Sequence, residues 1–314
     1  MEDTDARIGW LLETGIPTIA YQTRRDLFPA RASSRELQKS KKRIMQTGAV
    51  PAILARQSKR GGWRIDRGFY GPKFYSTHWS MMLLAELGAD GKDERFQRGV
   101  EYMLDATQDQ VEEGLEKKYY GWSCLYGNIL RYALQAPAKK DIRVDNLIHF
   151  CAQAMVNGPC DCRSSYGCAC AWGAVRVLWG LAVLPKRART KEVKEAIRLG
   201  IRFLLDDHRL EKAAYPVLPK GKVNPMWFQL SFPLFYHADI LFTLRVLDEL
   251  DALDHRGARA ALDWLEEKRR PDGRWKGTSP FRPRTWSEMG NPEETSRWVT
   301  LQAMRILRHA GRSA

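Results

Sequence analysis

CACAWGAVRVLWGLAVLP, residues 168–185, is apolar on nearly every face, whereas KEVKEAIRLGIRFLLDD, residues 191–207, carries one apolar and one charged face. A helix apolar all round is buried on several sides, and one with a single apolar stripe lies at a surface. The two segments therefore read as an inner helix followed by an outer one. The pairing recurs as THWSMMLLAELG (77–88) with DERFQRGVEYMLDAT (93–107), CLYGNILRYAL (124–134) with DIRVDNLIHFCAQAM (141–155), and HADILFTLRVLDEL (237–250) with HRGARAALDWLEEKR (255–269). SRWVTLQAMRILRHAG (296–311) is a fifth inner helix with no outer partner after it. Upstream, ILARQSKRGGW (53–63) reads as one more outer helix, preceded by IPTIAYQTRRDLF (16–28).

Helix pairs repeating at roughly 44 to 69 residues mean an open solenoid or a closed α/α ring. The connections decide for closure, because they are long and rich in glycine and aromatic residues, as in GGWRIDRGFYGPKFYS (61–76), KKYYGWS (117–123) and PDGRWKGTSPFRPRTW (271–286). All enter an inner helix from the same end, so they should converge on one mouth. The fold class expected is all-α, a single α/α toroid of about six inner/outer pairs, forming one domain over residues 1–314 without a linker.

With 314 residues, 44% of them hydrophobic, there is ample material for a large core, and disorder is excluded as the general state. Lys and Arg number 51 against 37 acidic residues, a net charge of +14 that favours an anionic over a cationic partner. The charge is scattered over surface helices, and nucleic-acid binding has no supporting motif. The amino terminus is acidic where a signal peptide would be basic, and no apolar run reaches a membrane span, so a cytoplasmic protein without a transmembrane segment is expected. Four of the six cysteines crowd between Cys160 and Cys170. In a chain of this size without a visible secretion signal, free thiols or a metal site are the readings left. Walker, G-x-G-x-x-G, G-x-S-x-G and H-E-x-x-H motifs are absent, as are D-x-D-D and D-D-x-x-D.

GGW at 61–63 and DGRW at 272–275, each followed by an apolar helix, resemble the repeats of the α/α toroid superfamily that holds squalene and other terpenoid cyclases and the β subunits of protein prenyltransferases. SSYGCACAWGAVRVL (164–178), with Gly167, Cys168 and Trp172, resembles the zinc-binding segment of protein farnesyltransferase β. PLFYHADILFTL (233–244) resembles the segment that supplies that family's histidine ligand, with Tyr236 and His237 in the matching places. The chain departs from that pattern at Tyr166, where the family has an aspartate ligand, and at Ala169, where it has a tyrosine; a basic residue is kept as Arg163.

The resemblance implies an enzyme acting on an isoprenoid or other apolar substrate, with zinc as cofactor. Cys168 and His237 are the implied ligands and candidate catalytic residues; Cys162 joins them in the preferred set, while Cys170 shares the metal only if the first helical turn is distorted, and Cys124 is a spare. His78 is a further candidate ligand or acid/base. Trp172, Tyr236, Trp79 and Trp122 would line an apolar pocket, Asn128 would face it, and Arg163 would hold an anionic head. Asp239 is expected to cap its helix, and Trp63 and Trp275 to wedge loops against helix ends. The alternative is a non-catalytic toroid that binds a hydrophobic ligand or a partner protein, with structural cysteines.

Overall fold

The computed structural model describes residues 2–28, 33–137, 140–158, 160–162, 167–208, 210 and 224–313. Arg163 and Tyr166 fall outside them. The described residues are all-helical: α1 (Glu2–Leu12), α2 (Pro17–Gln22), α3 (Ser34–Ile44), α4 (Ala49–Ala55), α5 (Thr77–Glu86), α6 (Glu94–Glu116), α7 (Ser123–Ala133), α8 (Ile142–Val156), α9 (Ala171–Ala182), α10 (Lys191–Arg202), α11 (Ile240–Glu249), α12 (Arg259–Glu267) and α13 (Pro292–His309). Wider turns extend α2 over Thr23–Leu27 and α10 over Phe203–Asp207. Among the described residues, extended pairing is limited to isolated bridges, Cys162 with Cys168 and Ser231 with Thr278.

The two helix types differ in burial as their sequences require. In α9 every residue but Trp172 and Ala182 is buried. In α10 only Val193, Ala196, Ile197 and Gly200 are buried, the spacing of one helical stripe. Among the apolar helices, α5 packs on α7, α7 on α9, α9 on α11, α11 on α13, and α13 on α2. Thr18 of α2 donates to the Leu87 carbonyl just past α5, at 2.6 Å. On the other side α6 lies on α5, α8 on α7, α10 on α9 and α12 on α11, with α8 touching both α6 and α10. The fifth inner helix finds its neighbour at the other end of the chain, where α1 packs beside α13. Trp10 Nε1 donates to Glu293 at 3.0 Å, and Arg297 Nε donates to the Trp10 carbonyl at 3.0 Å.

The two tryptophan signatures do the same job. Trp63 Nε1 donates to the Ile53 carbonyl and Trp275 Nε1 to the Leu265 carbonyl, both at 2.7 Å, at the end of the preceding helix. Their backbone N–H groups both donate, at 3.0 Å, to a threonine on the following inner helix, Thr77 and Thr300 respectively. Each fully buried indole thus locks a loop between two helix ends, as expected.

Several helix starts differ from the sequence reading. Helix α9 starts at Ala171 and α11 at Ile240, because Cys170 and Asp239 are N-caps whose side chains accept from Gly173 N and Phe242 N. Cys168 and His237 are therefore not helical. Helix α13 starts earlier than Ser296, at Pro292, behind an Asn291 cap that accepts from Glu293 N and Glu294 N. Helix α4 stops at Ala55, and the segment read as its continuation is a turn in which Ser58 N donates to the Gly62 carbonyl. Gly61 there, at φ 90°, stands against the Arg98 backbone, where a side chain does not fit.

The last turns of α5, α7, α9, α11 and α13, with the end of α2, line one cavity of about 440 Å³. It is paved with ion pairs, Glu86 with Arg245 at 2.7 Å, Arg131 with Glu249, and Asp248 with Arg305 at 3.3 Å, and His309 Nδ1 lies 2.8 Å from Asp248. Cations near helix carboxyl ends offset the partial negative charge of unpaired carbonyls. No described helix is long and apolar enough to cross a membrane.

Candidate functional site

At the opposite end, where the inner helices begin, most of the candidate residues meet. Spacing decides which side chains share a face: residues four apart on a helix are neighbours. On α9 that places Trp172 with Arg176, and on α7 it aligns Cys124, Asn128 and Tyr132. The Tyr236–His237 turn is held over α9 by the Asp239 cap, whose carboxylate accepts from Ser231 N at 2.8 Å and Phe242 N at 2.7 Å. Ahead of α5, Trp79 Nε1 donates to the Tyr70 carbonyl at 2.8 Å and pins the loop aromatic in place.

The rings form one cluster. His237 lies 4.0 Å from Tyr236, 4.5 Å from Trp172 and 5.0 Å from Phe281, centroid to centroid. Tyr236 is 5.7 Å from Trp79, Trp79 is 4.9 Å from His78, and His78 stacks on Tyr70 at 5.9 Å. His78, Trp79, Trp172, Tyr236 and His237 are thus brought together. Tyr70, Trp172 and Tyr236 are half-buried, so the cluster keeps an open side, while His78 and Trp79 are completely buried.

Trp122 does not join them. It sits in the left-handed region at φ 63°, 42% exposed, and lines a separate cavity of about 290 Å³ with Tyr119, Tyr126 and Phe150. A tryptophan before an inner helix is indistinguishable in sequence from one that turns inward; here the backbone conformation aims it out. Arg163 lies outside the described residues.

The residue the sequence reading missed is Arg176, fully buried in α9. Its Nε donates to the His237 carbonyl at 3.1 Å, its Nη2 donates to the same oxygen, and its guanidinium lies 3.9 Å over the Phe242 ring. A lone arginine in the apolar AWGAVRVLWGLA was a visible signal, since such a charge in an all-round apolar helix requires a partner. Tyr132 was also missed; its hydroxyl lies 3.3 Å from His78 Nδ1.

Burial, with the nearby Arg176 charge second, pushes His78 down to about 3 and holds His237 down at about 4, so both imidazoles are neutral at physiological pH. Burial lowers Arg176 itself to about 9, which leaves it a cation. Burial also raises Cys124 to about 11 and Asp239 to about 7. Six buried polar atoms of the region have no hydrogen-bond partner: His78 Nε2, both amide atoms of Asn128, Trp172 Nε1, Arg176 Nη1 and His237 Nδ1. Buried polar atoms are overwhelmingly paired, so these six are hydrogen-bonding groups that the described protein atoms leave unmet.

Among the described residues the expected zinc ligands are not gathered into a metal centre. Tetrahedral zinc needs about four converging donors. Cys162 is tied to Cys168 through the main chain, N–H to carbonyl at 3.1 Å, while its thiol is hydrogen-bonded to Cys170. Cys170 Sγ caps α9 by accepting from Gly173 N at 3.4 Å, and the His237 ring is packed among Trp172, Tyr236 and Phe281. Among the described residues no group of three or more His, Cys, Asp or Glu side chains is placed to hold a metal ion. Of that set, Cys170 caps α9 and His237 packs among the rings, and Cys162 and Cys168 meet through their main chains.

No protein-family model, curated protein or solved structure matches the chain.

Proposed function

We propose that the chain is a closed α/α ring resembling the toroid superfamily, with α2, α5, α7, α9, α11 and α13 as its inner wall, and that the end where these helices begin binds an apolar ligand of isoprenoid-like character. The neighbour order of the inner helices supports closure, as does the one cavity lined by the ends of all six. The observation that carries the ligand reading is the half-open cluster of Tyr70, Trp79, Trp172, Tyr236 and His237 together with the unpaired buried polar atoms of His78, Asn128, Trp172, Arg176 and His237. Apolar walls with a few convergent polar groups are what a small-molecule site offers.

Binding without catalysis is the reading favoured, because the two imidazoles are held far from the pKa a general acid or base needs near neutrality. A prenyltransferase- or cyclase-like reaction is the second reading. It is favoured by the convergence of Trp172, Tyr236 and His237, the residues that carry the resemblance.

Titration of the tag-free protein with farnesol, followed by tryptophan fluorescence, tests the site. Saturable binding that weakens at least about tenfold in Trp172→Ala and is unchanged in Trp122→Ala is the expected result, about 1.4 kcal/mol or more. Equal affinity in both variants, or no binding at all, overturns the site. Turnover of farnesyl diphosphate, assayed in parallel, would move the conclusion to the second reading.

A further inference from the structure

We propose that the ligand carries a singly charged oxyanion head and that Arg176 binds it. The inference rests on the ligand-binding reading above and adds the chemistry of the head. Arg176 is a fully buried guanidinium to which no described carboxylate is hydrogen-bonded; the nearby Glu86 is committed to Arg245 at 2.7 Å, and Asp239 to two backbone N–H groups. An unpaired buried cation is costly, and the cost is recovered when an anion joins it.

The geometry leaves one point of attachment. Two guanidinium nitrogens are bound to the His237 carbonyl, the plane is seated on Phe242, and only Nη1 is unpartnered. One turn away on the same face of α9, the Trp172 indole N–H is also unpartnered, and α7 contributes the unpartnered Asn128 amide where Gly127 abuts the Arg176 backbone. These are three N–H donors, two neutral and one charged, which suits an oxyanion of one charge. A diphosphate would bring more charge than a single guanidinium balances, and the chain has no D-D-x-x-D to supply magnesium. Lys73 and Arg284 are exposed and engaged over aromatic rings at the rim, Lys73 over Tyr236 at 5.1 Å and Arg284 over Phe74 at 5.2 Å.

The test compares dodecanoate, 1-dodecanol and dodecyl phosphate by fluorescence titration and calorimetry on the full chain. Dodecanoate is expected to bind at least about tenfold tighter than dodecanol, with Arg176→Gln removing that preference while dodecanol affinity is kept and Lys73→Ala leaving the preference intact. Equal binding of dodecanoate and dodecanol leaves the apolar site standing and overturns the charged head. Absence of all binding overturns both. Dodecyl phosphate binding about tenfold tighter than dodecanoate overturns the single charge and assigns a phosphate source instead. Should Arg176→Gln fail to fold, the ¹³C-carboxyl titration of dodecanoate on the wild-type protein decides. A bound carboxyl that stays ionised well below its free pKa supports the contact, and one that protonates at or above it overturns the contact.

Discussion

Gly180 sets α9 directly against the carbonyl of Gly127 on α7: a Cβ at position 180 would stand 2.5 Å from that oxygen, and a Cβ at position 127 would stand 2.5 Å from the Arg176 carbonyl oxygen. The two glycines fix the height at which Arg176 enters the helix contact.

Gly180→Ala is therefore expected to destabilise although alanine is the better helix former. The propensity gain of about 1 kcal/mol is outweighed by overpacking against backbone that has no side chain to move aside, about 1–3 kcal/mol or more. Gly9 in α1 has nothing within 4 Å of its would-be Cβ, so Gly9→Ala should stabilise by about 0.5–1 kcal/mol. Urea midpoints of both variants check the pair, and destabilisation by Gly9→Ala or stabilisation by Gly180→Ala would contradict it.

Trp275→Ala removes a fully buried indole and orphans the Leu265 carbonyl, an expected loss of about 3–5 kcal/mol. Thr300→Val removes the acceptor of the Trp275 N–H and should cost about 1–3 kcal/mol. The same two changes at Trp63 and Thr77 should cost alike, because the contacts are repeated. Thermal melts of the four variants would show it; a cost confined to one signature would mean the two are not equivalent.

Glu86 and Arg245 form an ion pair with side chains only 5% and 10% exposed. Glu86→Leu alone should destabilise by about 3–5 kcal/mol because it strands the arginine. The double change Glu86→Leu with Arg245→Met should recover most of that loss. A double-mutant cycle with additive costs would rule out the coupling.

His78 at about 3 and His237 at about 4, both from 6.5, are neutral in the folded chain and titrate normally when it unfolds. Their contribution is fully present above the unfolded value and is lost as pH falls through 6.5 toward those folded values. Asp239, raised from 3.8 to about 7, acts with the opposite sign: the fold holds its proton first and gains stability as pH drops through that window. Two histidines against one aspartate leave a net loss on acidification of up to about 1.4 kcal/mol per pH unit. His78→Gln should lower the slope between about pH 6 and pH 4.5 by up to about 1.4 kcal/mol per pH unit. Urea midpoints across that range decide, and an unchanged slope in the variant would place His78 elsewhere.

Elemental analysis of protein purified without an affinity tag under reducing conditions should find no stoichiometric zinc, and a chelator should leave the melting temperature unchanged. About one zinc per chain, lost in both Cys162→Ala and His237→Ala, would establish these residues as ligands.

Periodicity made the inner and outer helices legible, since α9 and α10 differ in sequence just as they differ in burial. The starts were less so. Cysteine is not a favoured N-cap, so nothing in CACAW marks Cys170 as the boundary, whereas the Asn291–Pro292 signal before α13 and the Ser33–Glu36 capping box before α3 were there to be read. At the site, the aromatic and histidine candidates were found because loop and helix starts were expected to converge. Arg176 was passed over because it lies mid-helix, where attention to first turns does not reach.

The pairing of α1 and α2 with α13 sets a timetable for synthesis. Gln22 bonds Gln302 across 280 positions of sequence, whereas α5 to α11 find neighbours soon after they are made. At ~5–20 residues per second, Gln22 waits on the order of 15 to 60 s for its partner on α13. A ribosome stalled ahead of α13 would therefore present a nearly finished bundle with an open apolar seam.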